Sequence, residues 1–562
     1  MKNPLATMSP KPAIGQGLFT GGSVLLIIAA LLSWSYDPKL LGDLSLTGNP
    51  APLQELAIIM GAAGLVHAFL LYRRPAAMSW WDTPAAAKSL AIGSFIFIGL
   101  IDYNIAYQSG GLINLDPGAW VALVATLVMI AGALLLAPVK VRNQLKVHGA
   151  AWLEIVVITA TLAALLFMVA FVLRGDDGGS VLASLTAAAT FGSLLFRGGY
   201  FSWLTMAASR HRPVIMLGAL VVALLFPLTQ NGTDSNMSIA VQIAIFLCAA
   251  LGLNIVVGLA GLLDLGYIAF LGTGAYVGAM MSNAASATIG WHPPFLVVAL
   301  LGGLTSAVLG LIIGSPTLRL SGDYLAIVTL AFGEIFHKAV LNLDGISGPN
   351  LTHGSDGIAG IPDLNLFGFN FGASHNLGSF TISNYSNYYI LLVFVAALII
   401  TVFSRLNNSR IGRGWIAIRE DERAAEAMGV NIFGLKILAF AGGAFLAGIA
   451  GAVQAHSTPA VVPDNYTFQE SSFLLAAVVL GGMGTVVGVA LGAVVLKLLP
   501  EKLRFIEDYR LLIFGLALVL MMRFRPEGLI ASKRRQLEFH EEDDELADII
   551  GHEHLDEQEA IA

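Results

Sequence analysis

The sequence contains few residue patterns that perform chemistry. No lysine stands in the G-x4-G-K-[ST] context that cradles a nucleotide phosphate, and neither a C-x-x-C pair nor an H-E-x-x-H zinc helix occurs. His540, His552 and His554 lie close together in the chain but lack the zinc spacing. We therefore predict no catalytic residue, no metal site and no cofactor bound by this chain, which should not hydrolyse ATP alone.

Four charged residues lie within apolar runs, namely Asp102, Asp264, Glu334 and Lys338. Ionisable groups at such positions are costly unless they are paired or wet, which makes them candidates for function. Glu334 and Lys338 are four residues apart, a spacing that also predicts an ion pair on one helix face. Asp264 or Glu334 would serve as a coupling carboxylate if the protein were an ion-driven transporter.

Glycine-rich apolar segments form the next candidate site. Gly272-x-Gly274-x3-Gly278 shares its spacing with Gly482-x-Gly484-x3-Gly488, as an internal repeat in a transporter would predict. The same spacing also follows Gly15, and small residues four apart favour helix packing, so both interpretations stay open. The predicted pathway residues, where the backbone could line a passage through the membrane, are Gly266, Gly272, Gly274, Glu334, Gly481, Gly482 and Gly484.

A charged segment between two apolar runs, residues 418–429, predicts one short helix. Its residues are helix formers, and a glycine stands where a C-cap would be. Such a helix could lie on lipid, but its four acidic residues disfavour an anionic membrane surface, so docking into a partner groove is the better interpretation. The segment contains Glu420, Asp421, Glu422, Arg423, Ala424, Ala425, Glu426 and Gly429.

Composition indicates which elements must position these residues. Residues of the AVILMFWYC set make up 56% of the 562 residues, whereas charged residues make up 12%, against about 25% in soluble proteins. Long runs with few charges predict spanning helices rather than the alternating strands of an outer-membrane barrel. The single cysteine, Cys248, has no partner for an intrachain disulfide. Residues 536–562 contain 11 acidic and no basic residues, and we predict a disordered, solvated tail.

The amino-terminal part contains six apolar runs. Lys and Arg fall in alternate loops between them, which predicts six crossings with the amino terminus inside. The predicted spans are residues 18–34, 53–72, 89–107, 119–139, 152–173 and 181–206.

The remaining runs continue this alternation. Residues 343–387 contain no Lys or Arg and are predicted to be an external loop, whereas residues 405–436 are basic and internal. Residues 471–499 are too long for one straight crossing and contain Gly481-Gly482-Met483-Gly484, so we predict two short or re-entrant pieces. The expected fold is an all-α polytopic bundle with broken helices and both termini in the cytoplasm. The spans are predicted at 214–229, 238–258, 262–282, 295–314, 324–342, 388–404, 435–455 and 509–523.

Five segments of residues 214–531 resemble, in order, the LivM-type permeases of branched-chain amino-acid ABC importers. They are residues 252–266, 318–335, 418–429, 479–484 and 524–529. The resemblance implies one of two non-identical permease subunits, the other of LivH type. It also implies two ATPase subunits, which would hold ATP and Mg, and an extracytoplasmic amino-acid-binding protein.

The resemblance also implies roles for particular residues. Residues 418–429 would be the cytoplasmic coupling helix, with Ala424, Ala425 and Gly429 matching the E-A-A-x3-G loop of importer permeases, although Arg423 stands where that consensus has Glu. We expect a permease domain at 211–535, after an amino-terminal extension at 1–210 and before the acidic tail. The expected protein is a bacterial inner-membrane permease for hydrophobic amino acids; an ion-coupled transporter and a membrane scaffold are the alternatives.

Overall fold

The computed structural model is almost entirely helical. It describes residues 10–35, 53–73, 80–137, 150–174, 178–230, 233–282, 286–317, 323–346, 348–377 and 380–502, with a few single residues besides, among them 528–530. The acidic tail, the loop at 138–149 and most of the predicted span at 509–523 lie outside these residues. Ten of the described helices are long and apolar enough to cross a membrane, in agreement with the predicted all-α polytopic class.

The chain forms two compact units. The first comprises Met1–Asn236 with Leu377–Thr381 and Lys502–Glu507, and the second comprises Met237–Asn376, Ile382–Glu501 and Asp508–Ala562. The helices of the first unit are α1 (Pro10–Ala30), α2 (Leu53–Arg73), α3 (Thr83–Ser109), α4 (Pro117–Leu134), α5 (Ala151–Arg174), α6 (Gly178–Arg197), α7 (Tyr200–Arg210) and α8 (Arg212–Thr229).

Helices α1 and α4 pack closely in the first unit because glycine lets their backbones approach. A Cβ atom on Gly132 would lie 2.4 Å from the Phe19 nitrogen, and one on Gly22 would lie 2.8 Å from the Met129 nitrogen. Buried Phe19, Met60 and Met129 belong to the apolar core of this unit. Of the three glycines that share the G-x-G-x3-G spacing within α1, Gly15 contacts Gly132, whereas Gly17 and Gly21 face open space.

The predicted single span at 181–206 is wrong, because the helix breaks at Gly198 and Gly199. Gly199 adopts φ +88°, a left-handed conformation that glycine tolerates best. Gly198 lies against the Trp81 ring, where a Cβ would come within 2.4 Å. The chain after the break, α7, is tied to α5 by the buried Glu154, which accepts from Arg210 at 2.7 Å.

The second unit contains the helices that resemble the importer permeases. They are α9 (Asp234–Leu253), which continues into a π-helical turn (Asn254–Leu259), α10 (Ile268–Met280), α11 (Phe295–Thr317), α12 (Asp323–Asn342), α13 (Asn384–Asn407), α14 (Arg410–Glu420), α15 (Glu422–Ala427), α16 (Ile432–Ser457), α17 (Phe468–Gly481) and α18 (Val486–Lys502).

Helix α16 is packed between α10 and α11 at the centre of the core. A Cβ on Gly274 of α10 would lie 2.0 Å from the carbonyl oxygen of Gly448 on α16. On its other side, a Cβ on Gly448 would lie 2.4 Å from the carbonyl oxygen of Gly302 on α11. Because these contacts are between glycine backbones, the three apolar helices can pack closely. The predicted span at 262–282 is too long, since the helix begins only at Ile268; Gly261, at φ +71°, ends the preceding π-helical turn.

The predicted external loop carries short strands. Strand β1 (Ile358–Ala359) pairs antiparallel with β6 (Ala460–Val461), β2 (Asn365–Leu366) pairs with β3 (Phe369–Asn370), and β4 (His375–Leu377) pairs with β5 (Phe380–Ile382). The first pairing ties this loop to the segment that follows α16. We therefore expect residues 460–461 to lie on the same side of the membrane as this loop.

The prediction of two pieces at 471–499 is confirmed. Helices α17 and α18 form an antiparallel hairpin around a break at residues 482–485. At the break, a Cβ on Gly481 would come within 2.2 Å of the Gly488 carbonyl oxygen. At the open end of the hairpin, Lys497 Nζ lies 2.7 Å from Glu470 Oε2.

Candidate coupling and permeation site

The predicted single helix at 418–429 is wrong, because two helices replace it. Asp421 is extended (φ −154°, ψ 111°) between α14 and α15. Its Oδ1 accepts hydrogen bonds from the backbone nitrogens of Arg423 at 2.9 Å and Ala424 at 3.0 Å. Aspartate stabilises a helix more as an N-cap than in its interior, so Asp421 ends one helix and begins the next. The predicted end is confirmed, since Gly429 follows α15 at φ +80°.

Three side chains attach this helix pair to the rest of the second unit. Trp415 of α14 is buried and donates its indole N–H to the Leu435 carbonyl at 2.7 Å. Lys436 of α16 is 5% exposed and pairs with Glu422 of α15 at 2.7 Å. Arg419 Nη1 donates to the Gly258 carbonyl at 2.9 Å, and Nη2 lies 2.9 Å from Glu420. The helix pair therefore contacts both α16 and the π-helical end of α9.

The opposite side of α15 is exposed. Arg423, Ala424 and Glu426 face solvent, and the Met428 side chain is 84% exposed, whereas Ala425 is buried. An exposed thioether between charges is the mixture that protein interfaces use. This side of α15 is thus the part of the predicted coupling helix that is free to meet a partner.

The predicted pathway glycines near α10 are close-contact positions. A Cβ on Gly266 would lie 1.9 Å from the Thr329 carbonyl oxygen of α12, and Gly274 meets Gly448 of α16. Gly272 lies against the rings of Phe336 and Tyr466. Burial, and then the nearby Tyr276 phenol, raises the pKa of Tyr466, so its hydroxyl remains protonated.

The second group of predicted pathway glycines lies at the α17–α18 break. Gly481 is packed against α18, whereas Gly482 and Gly484 have φ of +120° and +78°, which L residues rarely adopt. Residues 528–530 lie against this break: Leu529 N–H donates to the Leu480 carbonyl at 2.7 Å and Ile530 N–H to Gly481 at 3.0 Å. Residues 528–529, the described end of the segment 524–529 that carries the family resemblance, therefore meet the segment 479–484.

The carboxylates predicted at membrane depth have different surroundings. Asp264 is buried and its Oδ1 accepts from Gly266 N–H at 2.9 Å, which shapes the turn before α10. Glu334 is half-buried on α12, but the predicted ion pair with Lys338 is not among those of the described residues. On that helix His337 instead lies 3.7 Å from Asp464. Asp102 is buried in α3 of the first unit. The described residues hold no cluster of metal-ligating side chains.

Sequence reasoning did not select Asn254. This residue lies in the π-helical turn that ends α9 and bonds to the break between α17 and α18. Its Oδ1 accepts from Gly484 N–H at 2.8 Å, and its Nδ2 donates to the Thr485 carbonyl at 3.2 Å. The signal in the sequence was an amide side chain inside the otherwise apolar run Leu251–Leu259. This run lies at the end of α9 and in its π-helical turn. A π-helical turn often marks a functional position.

Apolar spanning helices, a contact between two helix interruptions, and a charged helix pair with one exposed side are features of a membrane transport subunit. The chain belongs to the family described as branched-chain amino acid transport system / permease component, whose model matches residues 235–522. The matched residues fall within α9 to α18 and the segment that follows.

Individual relatives agree with this assignment. The chain is 40% identical over 336 residues to the high-affinity branched-chain amino acid transport system permease protein LivM of Salmonella typhimurium, covering 58% of this chain and 76% of that protein. It is 39% identical over 337 residues to LivM of Escherichia coli, with the same coverage. The LivH permease protein of Salmonella typhimurium is 26% identical over 294 residues, covering 50% of this chain and 89% of LivH. No solved structure matches the chain.

Proposed function

We propose that this chain is the transmembrane permease subunit of an ATP-driven importer for branched-chain or other hydrophobic amino acids. It would lie in a bacterial inner membrane with both termini in the cytoplasm. The observation that carries the proposal is the bond from Arg419 to Gly258. Through it the exposed helix pair α14–α15 directly contacts the broken end of a spanning helix. Motion imposed on the helix pair would therefore reach the membrane core.

The partners follow from the relatives and from the absence of a phosphate-binding loop in this sequence. We infer a second permease subunit of LivH type, two ATPase subunits that bind ATP and Mg, and an extracytoplasmic amino-acid-binding protein. The exposed residues Arg423 and Glu426 of α15, with Met428 just after it, would dock into an ATPase subunit. The permease chain itself would bind no nucleotide.

The substrate pathway is proposed along the predicted residues Gly266, Gly272, Gly274, Glu334, Gly481, Gly482 and Gly484. The zwitterionic part of an amino acid needs polar groups across an apolar core of about 30 Å, and freed backbone groups supply them. Because Gly266, Gly274 and Gly481 pack against neighbouring backbone here, a passage along them requires these helices to separate. We also propose that residues 1–210 form an extension, 211–535 the permease domain, and 536–562 a cytoplasmic tail.

The energy source provides the test. The purified chain in liposomes should show no ATPase activity and no uptake of radiolabelled leucine under a proton or sodium gradient. Assembled with its partner subunits and binding protein, it should accumulate leucine when ATP is present on the ATPase side. A complex whose ATPase subunits lack the P-loop lysine is the control. Accumulation driven by an ion gradient without partners would refute the proposal and restore the ion-coupled alternative.

A further inference from the structure

We propose that Asn254 and Arg419 form a latch that must release for transport. The latch holds two helix breaks together, namely the π-helical end of α9 and the break between α17 and α18. The latch comprises Asn254, Gly258, Arg419, Gly484 and Thr485, all in the second unit. This inference deepens the proposed function and depends on it.

One side chain makes the bond between the breaks. Asn254 is fully buried, and its partners Gly484 and Thr485 lie 230 and 231 positions away in sequence. Gly484 donates its backbone N–H and Thr485 accepts at its carbonyl oxygen. A side chain that bonds to both must therefore accept one hydrogen bond and donate another. Among side chains of this size only an amide presents both groups in one plane. The residue type therefore matches its two contacts.

Close packing around the amide uses backbone rather than side chains. A Cβ on Gly258 would lie 2.0 Å from Asn254 Oδ1 and 2.6 Å from the Gly484 nitrogen. The contact between the breaks is consequently small and polar. If the breaks separated into a wetted pathway, water could replace both amide bonds at little enthalpic cost, whereas separating large apolar side chains would expose them.

Arg419 connects this contact to the helix pair. Its guanidinium donates to the carbonyl of Gly258, one helical turn after Asn254, and its stem lies against Gly261, where a Cβ would come within 2.4 Å of Cγ. A shift of α14 would move the same turn that holds the amide. Two sites can influence each other only if contacts differ between states, and the latch supplies such contacts.

The test compares Asn254→Ala, Arg419→Gln and the double variant in the complete reconstituted complex. Leucine uptake and ATP hydrolysis are measured side by side, with complex yield and melting temperature as folding readouts. We expect leucine moved per ATP to fall about tenfold or more in each single variant, since a tenfold change corresponds to losing one hydrogen bond. Arg419→Gln removes one bond of the latch and Asn254→Ala removes two. ATP hydrolysis should stay near the wild-type rate. Asn342→Ala is the control, because among the described residues that side-chain amide donates to the Lys338 carbonyl of its own helix.

The double variant separates a shared latch from two independent defects. If both residues act on one contact, the double variant should be no worse than the more severe single variant. Unchanged leucine per ATP, a parallel loss of uptake and hydrolysis at normal yield, or additive defects would each overturn the latch. If Asn254→Ala fails to assemble, Arg419→Gln decides, since that side chain is 25% exposed and we expect its replacement to preserve the fold. Failure of the wild-type complex to transport leucine would instead reject the proposed function.

Discussion

Glycine residues on a single helix of this protein have different roles. On α16, Gly448 contacts the backbone of α10 and α11, while Gly442 faces open space, with no atom within 4 Å of a Cβ built there. Both are glycines in an apolar helix, so their sequence context does not distinguish them. Only the neighbouring helices decide which one excludes a side chain.

This difference predicts opposite outcomes for two Gly→Ala substitutions. Gly274→Ala should destabilise the protein by about 3 kcal/mol or more, because its Cβ would lie 2.0 Å from the Gly448 carbonyl oxygen and overpacking forces the helices apart. Gly442→Ala should be neutral or stabilise by up to about 1 kcal/mol through helix propensity. Melting temperatures in detergent would measure both. Equal stability of the two variants would show that the α10–α16 contact is not tight.

Acidic residues of the helix pair are also unequal. Lys436 is almost completely buried and its Nζ pairs with Glu422, whereas Glu426 is exposed. Removing one partner of a buried pair leaves an uncompensated charge, which costs about 3 to 5 kcal/mol when both are buried. Since Glu422 is half-exposed, we expect about 1 to 2 kcal/mol for Glu422→Gln by the same argument.

The matched variant Glu426→Gln should change stability by less than about 0.5 kcal/mol, as surface substitutions usually do. Thermal unfolding of both variants checks this contrast. In addition, Glu422→Gln should gain stability from a second change, Lys436→Met, that removes the stranded charge. Absence of that rescue would contradict the role assigned to the pair.

At the level of elements, the sequence predicts most helices of the second unit to within a few residues. Apolar length and the distribution of Lys and Arg suffice because each spanning helix must satisfy its own backbone in lipid. The breaks are harder to predict. The glycines of Gly481-Gly482-Met483-Gly484 predicted one break. Asp421, however, lies among helix-forming residues, and only the bonds by which its side chain caps α15 show that the helix is interrupted there.

The site was predicted less completely for the same reason. Contacts such as Asn254 with Gly484, or Gly266 with Thr329, join residues far apart in sequence, and only the packing of the whole unit brings them together. Residues 418–429 could be found because their chemistry is local. The latch could not be found because each of its members has an ordinary structural interpretation in isolation.

Helix α15 has only six residues, so one backbone change should abolish its shape. Ala425 N–H donates to the Asp421 carbonyl at 3.0 Å, and its side chain is buried. Ala425→Pro removes this bond and costs about 3 kcal/mol within a helix. We expect the assembled complex to keep basal ATP hydrolysis but to lose leucine uptake. Ala425→Ser, which keeps the N–H and nearly the size, is the control. Full uptake by the proline variant would mean that α15 does not transmit force.

At the scale of the whole chain, the α17–α18 hairpin constrains the path of the carboxyl-terminal segment. Lys497 pairs with Glu470 at the open end of the hairpin, while Leu529 bonds to Leu480 at its break. Helix α17 has 14 residues and is therefore about 21 Å long. Lys497 and Leu529 therefore lie at opposite ends of the hairpin, and the predicted crossing at 509–523 would connect them.

This geometry predicts which positions are reached from each side of the membrane. In a Cys248→Ala background, which removes the single cysteine, membrane-impermeant maleimide should label Asn465→Cys and Phe505→Cys from outside only. Met428→Cys and Ser532→Cys should be labelled only after the inner face is opened. Asn465 and Met428 are exposed, so accessibility does not limit their reaction. We expect Phe505 and Ser532 on opposite sides because the predicted span at 509–523 lies between them and the basic residues 533–535 favour the cytoplasmic side. Labelling of both from one side would mean that residues 503–527 do not cross, and that the basic end at 533–535 is not held in the cytoplasm by a final span.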